Sequence, residues 1–128
     1  MTKRAPSAHH DTRAARAGRL VVRSQRRDDV HTICLHGELD LLNAGAVEQE
    51  LVRAESADAA TIVINLADVT FIDSTGVRLL IMACARSRTN RYRLELAQLS
   101  DDVRRVLAIC GLLTSLPISN RELDERAP

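Results

Sequence analysis

Aromatic side chains are almost missing from this chain of 128 residues: Phe71 and Tyr92 make up the whole 2%, and tryptophan is absent. Single-stranded nucleic acid is held by stacking bases on such rings, so their scarcity counts against a base-stacking platform. Cysteine is scarce as well. Cys34, Cys84 and Cys110 are odd in number and form no CxxC pair, which excludes a disulfide framework and points to a reducing compartment. Each thiol lies within an apolar strand or helix pattern and is expected in the core. The four histidines, His9, His10, His31 and His36, do not join the thiols at metal-ligand spacing. His31 and His36 are also an odd number of residues apart on one expected strand, hence on opposite faces of it. No metal and no cofactor is therefore expected. No GxxxxGK[ST] loop is present for a nucleotide. A hydrophobic secretory core is lacking, and the Arg- and Ala-rich start is too poor in serine and too aperiodic for a transit peptide, so a cytoplasmic location is expected.

What remains is the composition of one ordinary globular domain, 45% hydrophobic and with a formal net charge of +1. That small net conceals a division. Between Met1 and Arg27 eight basic residues face Asp11 alone, whereas the rest carries ten basic against sixteen acidic residues. Residues 1–18 show no sustained apolar face and read as a disordered basic arm, with a single domain over 19–119 and a flexible tail over 120–128. The arm is a solvated tail or a weak electrostatic contact for an acidic partner or nucleic acid.

Period and punctuation give the elements. Leu20–Ser24 and Val30–His36 are expected to pair as an antiparallel hairpin around Asp28-Asp29. Asn43 is placed as the N-cap of a helix burying Val47, Leu51 and Ala54. Thr61–Leu66 is a continuous apolar, β-branched run of the kind found inside a covered sheet, with a turn over Ala67–Asp73. A helix then runs to about Arg88, with Val77, Leu80, Ile81 and Cys84 at helical spacing. Leu94–Leu99 is a further strand. Ser100 caps a last helix that buries Val103, Val106, Leu107 and Cys110 and ends at Gly111. Leu116-Pro117-Ile118 is a short edge strand. The fold class is α/β, a mixed and mostly parallel sheet of about four to five strands with amphipathic helices.

Asp73-Ser74-Thr75-Gly76 stands between the buried run and the third-quarter helix, and offers a hydroxyl at a fixed place. Either Asp73 or Ser74 is simply an N-cap, or the free N–H groups at the same helix start also suit a phosphate carried on Ser74. Gly76, without a Cβ, would let another molecule approach that hydroxyl closely. Loops that leave the carboxyl ends of parallel strands share a rim, which would gather Glu38, Asp40, Asp68 and Asp73 near Ser74. Asp40 and Asp68 could equally serve only to turn the chain.

The stretch from Asn65 through Asp73-Ser74-Thr75-Gly76 to Val77, taken with Gly37-Glu38-Leu39-Asp40 upstream, resembles the STAS family. The likeness spans roughly Leu20 to Ile118, and is narrower with the bacterial anti-sigma factor antagonists. It implies that Ser74 is a phosphorylation site, with the neighbouring hydroxyl of Thr75 the weaker candidate, and that Asp40 assists recognition by a kinase. It also implies that Asp73, Thr75, Gly76, Val77 and Arg78 flank the site and meet the partner. Such a protein is not an enzyme. Unphosphorylated, it binds an anti-sigma factor with serine kinase activity and frees a sigma factor, phosphorylation releases it, and a serine phosphatase resets it. Neither nucleic acid nor a membrane is bound directly. Arg78 departs from the small or apolar residues usual there, and could pair with an acidic partner, with the phosphate, or with water alone. The alternative reading is a non-switching STAS docking module of a transporter or signalling scaffold. A serine hydrolase fits poorly, because the Gly-x-Ser-x-Gly frame is missing and every histidine precedes Ser74.

Overall fold

In the computed structural model, which describes residues 10–121, a six-stranded sheet is ordered β1-β2-β3-β4-β5-β6 exactly as the strands occur along the chain. β1 (His10–Ala17), β2 (Leu20–Arg27) and β3 (Val30–Leu39) form an antiparallel meander. β3, β4 (Thr61–Ile72), β5 (Arg93–Ala97) and β6 (Ile118–Ser119) are parallel to one another. Helices α1 (Ala44–Ser56), α2 (Ser74–Asn90) and α3 (Asp101–Ile109) bridge successive parallel strands. Each crossover steps the same way across the sheet, so right-handed connections bring α1 and α2 to one face.

That face carries the core. Ile33, Ile64 and Leu96 are in register across three strands and fully buried. Val47, Leu51 and Ala54 of α1 and Leu80 and Ala83 of α2 close over them, as the helical spacing requires. Ser100 opens α3 as expected, its hydroxyl accepting from Val103 N at 3.1 Å and donating to Val69 O on β4. Arg86 of α2 grips Glu55 of α1 through both carboxylate oxygens, at 2.6 and 3.1 Å, and so locks the two helices side by side.

Several expectations are corrected. The stretch assigned to a disordered arm contributes β1, a full edge strand, over His10–Ala17; residues 1–9 lie outside the described residues, as does most of the expected tail. β1 has too few apolar side chains to announce itself, because its order comes from backbone pairing with β2 rather than from burial. The sheet therefore has six strands rather than four to five. The turn expected over Ala67–Asp73 is a continuation of β4 to Ile72, paired with the last residues of β3 through two register shifts. Those irregularities break the alternation that marks a strand in sequence. Cys84 is buried, but Cys34 is half-buried and Cys110 exposed, since α3 ends one residue before Cys110 and its buried stripe stops at Leu107.

Two features hold the meander against the rest. Gly37 sits at φ +118°, and a Cβ there would lie 2.1 Å from Arg19 O, the atom that also accepts from Glu38 N at 3.0 Å. Only glycine lets the β1–β2 turn close on β3 at this point. Beneath the hairpin, Glu50 of α1 accepts from Ser24 of β2 and lies 3.3 Å from His31 Nε2 of β3, with all three side chains buried. Burial opposes its charge, but the hydrogen bonds from His31 and Ser24 and the nearby Arg53 outweigh it and bring the carboxyl from 4.5 down to about 2.

Gly37→Ala should therefore cost about 3 kcal/mol or more, from overpacking and backbone strain together, read as the fall in unfolding free energy in urea. Because the folded carboxyl of Glu50 titrates below its unfolded value, the unfolded chain binds the extra proton between these limits. Its contribution should be complete above about pH 4.5 and should fade as the pH drops toward 2, by on the order of 3 kcal/mol. Urea midpoints taken across that window should fall steeply in the wild type and much less in Glu50→Gln.

Candidate functional site

The carboxyl-end rim of β3 and β4 is built from two chain segments that leave neighbouring parallel strands. After Leu39 the chain turns through Asp40 to Asn43 into α1, and after Ile72 it passes through Asp73 directly into α2. Asp73 N donates to Leu39 O at 3.2 Å, so the two exits are joined at their base.

Asp73 is the N-cap of α2, its Oδ1 accepting from Gly76 N at 2.9 Å. That leaves Ser74 as the first helical residue. It is exposed, and its hydroxyl makes no hydrogen bond among the described residues. Of the two candidate caps, then, Asp73 takes the structural work and Ser74 is spared it. The other oxygen of Asp73 accepts from Leu41 N at 3.1 Å. One carboxylate thus serves the helix start and the neighbouring loop together.

Asn43 precedes α1 as expected but does not cap it. Its side chain turns back, accepting from Asp40 N at 2.9 Å and donating to Glu38 O at 2.8 Å, and is almost wholly buried. Asp40 Oδ1 accepts from Leu42 N at 3.0 Å, and its carbonyl accepts from Asn43 N and Ala44 N. Asp40 therefore shapes the turn that starts α1, the structural one of its two expected roles. Asp68 lies within β4 rather than in a turn, and pairs with His36 Nδ1 at 3.0 Å. Glu38 faces Arg19 at 3.5 Å. The rim does collect acidic residues, but each has a local partner.

The remaining residues divide by burial. Arg78 is exposed, one helical turn beyond Ser74 on the same face, and has no ion pair among the described residues. Thr75 is half-buried. Gly76 and Val77 are buried, so neither presents a side chain to a partner. The glycine is needed inward instead: a Cβ on Gly76 would lie 2.7 Å from Ile72 Cγ1 and 3.1 Å from Leu39 O. It lets α2 start tightly against the ends of β3 and β4, rather than admitting another molecule to the hydroxyl.

An apolar surface around Ser74 was not expected from periodicity. Leu41 and Leu42 are 71% and 86% exposed in the Asp73-tethered turn, and Ile81 and Met82 are exposed further along the Ser74–Arg78 face of α2. The Leu-Leu pair directly after Asp40 was the available signal, since neither residue fits the buried face of α1. Among the described residues no group of His, Cys, Asp and Glu could hold a metal ion, and no helix is long and apolar enough to cross a membrane.

Comparison with known proteins places this arrangement. A STAS domain model matches residues 22–124. The anti-sigma-B factor antagonist of Listeria monocytogenes is 30% identical over 104 residues, covering 80% of this chain and 91% of that one. Among solved structures, the anti-sigma factor antagonist SpoIIAA in its unphosphorylated form superposes with a TM-score of 0.56 at 25% identity, over 86% of this chain and 89% of that one. An anti-sigma factor antagonist from Mycobacterium paratuberculosis gives a TM-score of 0.65 at 21% identity, over 93% and 92%, which establishes the shared fold.

Replacing Asp73 by alanine should remove the cap of α2 at a cost of about 1 kcal/mol, within the usual span for such caps, measured by urea unfolding. Asp68→Ala, at an exposed pair, should cost less than about half of that.

Proposed function

The chain belongs to the STAS domain family, and from that premise we propose that it is an anti-sigma factor antagonist switched by phosphorylation of Ser74. The observation that carries the proposal is the division of labour at the start of α2. Asp73 caps the helix, while the Ser74 hydroxyl stands exposed and unbonded beside an apolar surface. A group with no structural task can be modified without cost to the fold, and here it lies where a partner would dock. The partner is an anti-sigma factor with serine kinase activity, bound through Leu41, Leu42 and the Ser74–Arg78 face of α2. A serine phosphatase restores the hydroxyl. The chain itself is the substrate and performs no catalysis.

Magnitudes favour release from an interface over unfolding. A phosphate adds roughly −1.5 to −2 charges at neutral pH, and the start of a helix favours such charge by about 0.3 to 1 kcal/mol at an exposed position. Enclosing the same charge in an apolar interface costs several kcal/mol, and about 1.4 kcal/mol is tenfold in affinity.

Phosphosite mapping on protein from its own host should find the phosphoryl group on Ser74, removable by phosphatase. Ser74→Asp should keep its melting temperature within about 4 °C of wild type, a change below about 1 kcal/mol, yet lose about 100-fold or more in affinity for the anti-sigma factor, close to 3 kcal/mol. Ser74→Ala should bind and resist release by ATP. Equal binding by wild type and Ser74→Asp would instead identify a constitutive docking module.

A further inference from the structure

Leu41 and Leu42 present a problem of position. With their side chains 71% and 86% exposed, they have little packing to hold them in place; the buried Asn43 side chain anchors the turn at Asp40 and Glu38, and hydrogen bonds to their own backbone must fix the pair itself. Leu42 N is held within the turn by Asp40, at 3.0 Å. Leu41 N is held from outside it, by Asp73 Oδ2 at 3.1 Å, 32 residues further along the chain. The same carboxylate caps α2 through its other oxygen, one residue before Ser74. The strand-type bond from Asp73 N to Leu39 O joins the two segments below this level and does not depend on the side chain at 73.

We propose that Asp73 is a positioning residue for partner recognition: by dividing its carboxylate between Leu41 N–H and Gly76 N–H, it sets the Leu41–Leu42 pair against Ser74, so that the partner meets the apolar pair and the hydroxyl as one surface. The inference rests on the phosphorylation reading above for its consequence, but not for its geometry. An aspartate suits both tasks because it offers two acceptor oxygens and no donor. Asparagine or serine can cap a helix as well as aspartate does, but each offers a single acceptor oxygen, whereas Leu41 N–H and Gly76 N–H are met by the two different oxygens of Asp73. The cap and the tether are therefore separable by substitution.

The test measures hydrogen exchange at individual amides in wild type, Asp73→Asn and Asp73→Ser, together with the fraction of Ser74 phosphorylated in the host. In both variants exchange at Leu41 N–H should quicken about tenfold or more, while Gly76 and Val77 stay within about twofold of wild type. Ser74 phosphorylation should fall about tenfold in each. Leu42→Ser, remote from the serine in sequence, should lower phosphorylation to a similar degree with exchange at Gly76 unchanged, and combining it with Asp73→Asn should add little. Unchanged exchange at Leu41 in both variants overturns the tether. Faster exchange with phosphorylation at the wild-type level overturns its role in recognition. If wild-type Ser74 carries no phosphate under any growth condition, the switch reading fails, and exchange at Leu41 alone still decides whether Asp73 positions the pair.

Discussion

The parallel pairing of β3 with β4 governs the rest of the molecule, because it persists through two register shifts until both strands end at the same rim. Leu39 is paired with Ile72, so the chain leaves the two strands at adjacent points and Asp40 and Asp73 follow as neighbours. This pairing is what brings Leu41, 32 positions away, to the Asp73 carboxylate. Two glycines make this geometry possible from either side. Gly37 lets the β1–β2 turn close onto β3, and Gly76 lets α2 rise directly from the strand ends. A Cβ would strike the backbone oxygen of Arg19 at Gly37 and the side chain of Ile72 at Gly76, so the close approach is a steric condition and not a preference.

Polar side chains take different roles along the sheet. Under the hairpin, the buried Glu50 carboxylate is bound by Ser24 and His31, and those bonds hold it well below the usual carboxylate range. At the rim the acidic residues are bound locally and the serine is not. The fold thus anchors the middle of α1 through a buried carboxylate and leaves at the start of α2 an exposed hydroxyl with no hydrogen bond among the described residues. This separation suits a protein in which a covalent charge acts on an interface while the domain persists.

Much of this was legible in the chain. The hairpin of β2 and β3, the buried face of α1, most of that of α2 and the Ser100 cap of α3 followed from spacing and capping chemistry, which depend on neighbours within a few residues, but Ile81, expected beside Val77, Leu80 and Cys84, is exposed. The failures share a cause. β1 is a strand because β2 lies beside it, β4 outruns its apolar stretch because β3 continues to pair with it, and Gly76 faces inward because Leu39 and Ile72 stand behind it. Asn43 was correctly placed before α1, yet its side chain serves the Glu38–Asp40 turn instead of the helix.

By itself the sequence determined the α/β class, the order of most elements and the position of Ser74 at a helix start, since these arise from periodicity and from the chemistry of adjacent residues. Only the tertiary structure decided which of Asp73 and Ser74 would cap that helix, which acidic residues would be bound locally, and that Leu41 and Leu42 would stand exposed beside the hydroxyl. Those outcomes depend on contacts between segments far apart in the chain, where a single hydrogen bond from Leu41 to Asp73 carries information that no local pattern contains.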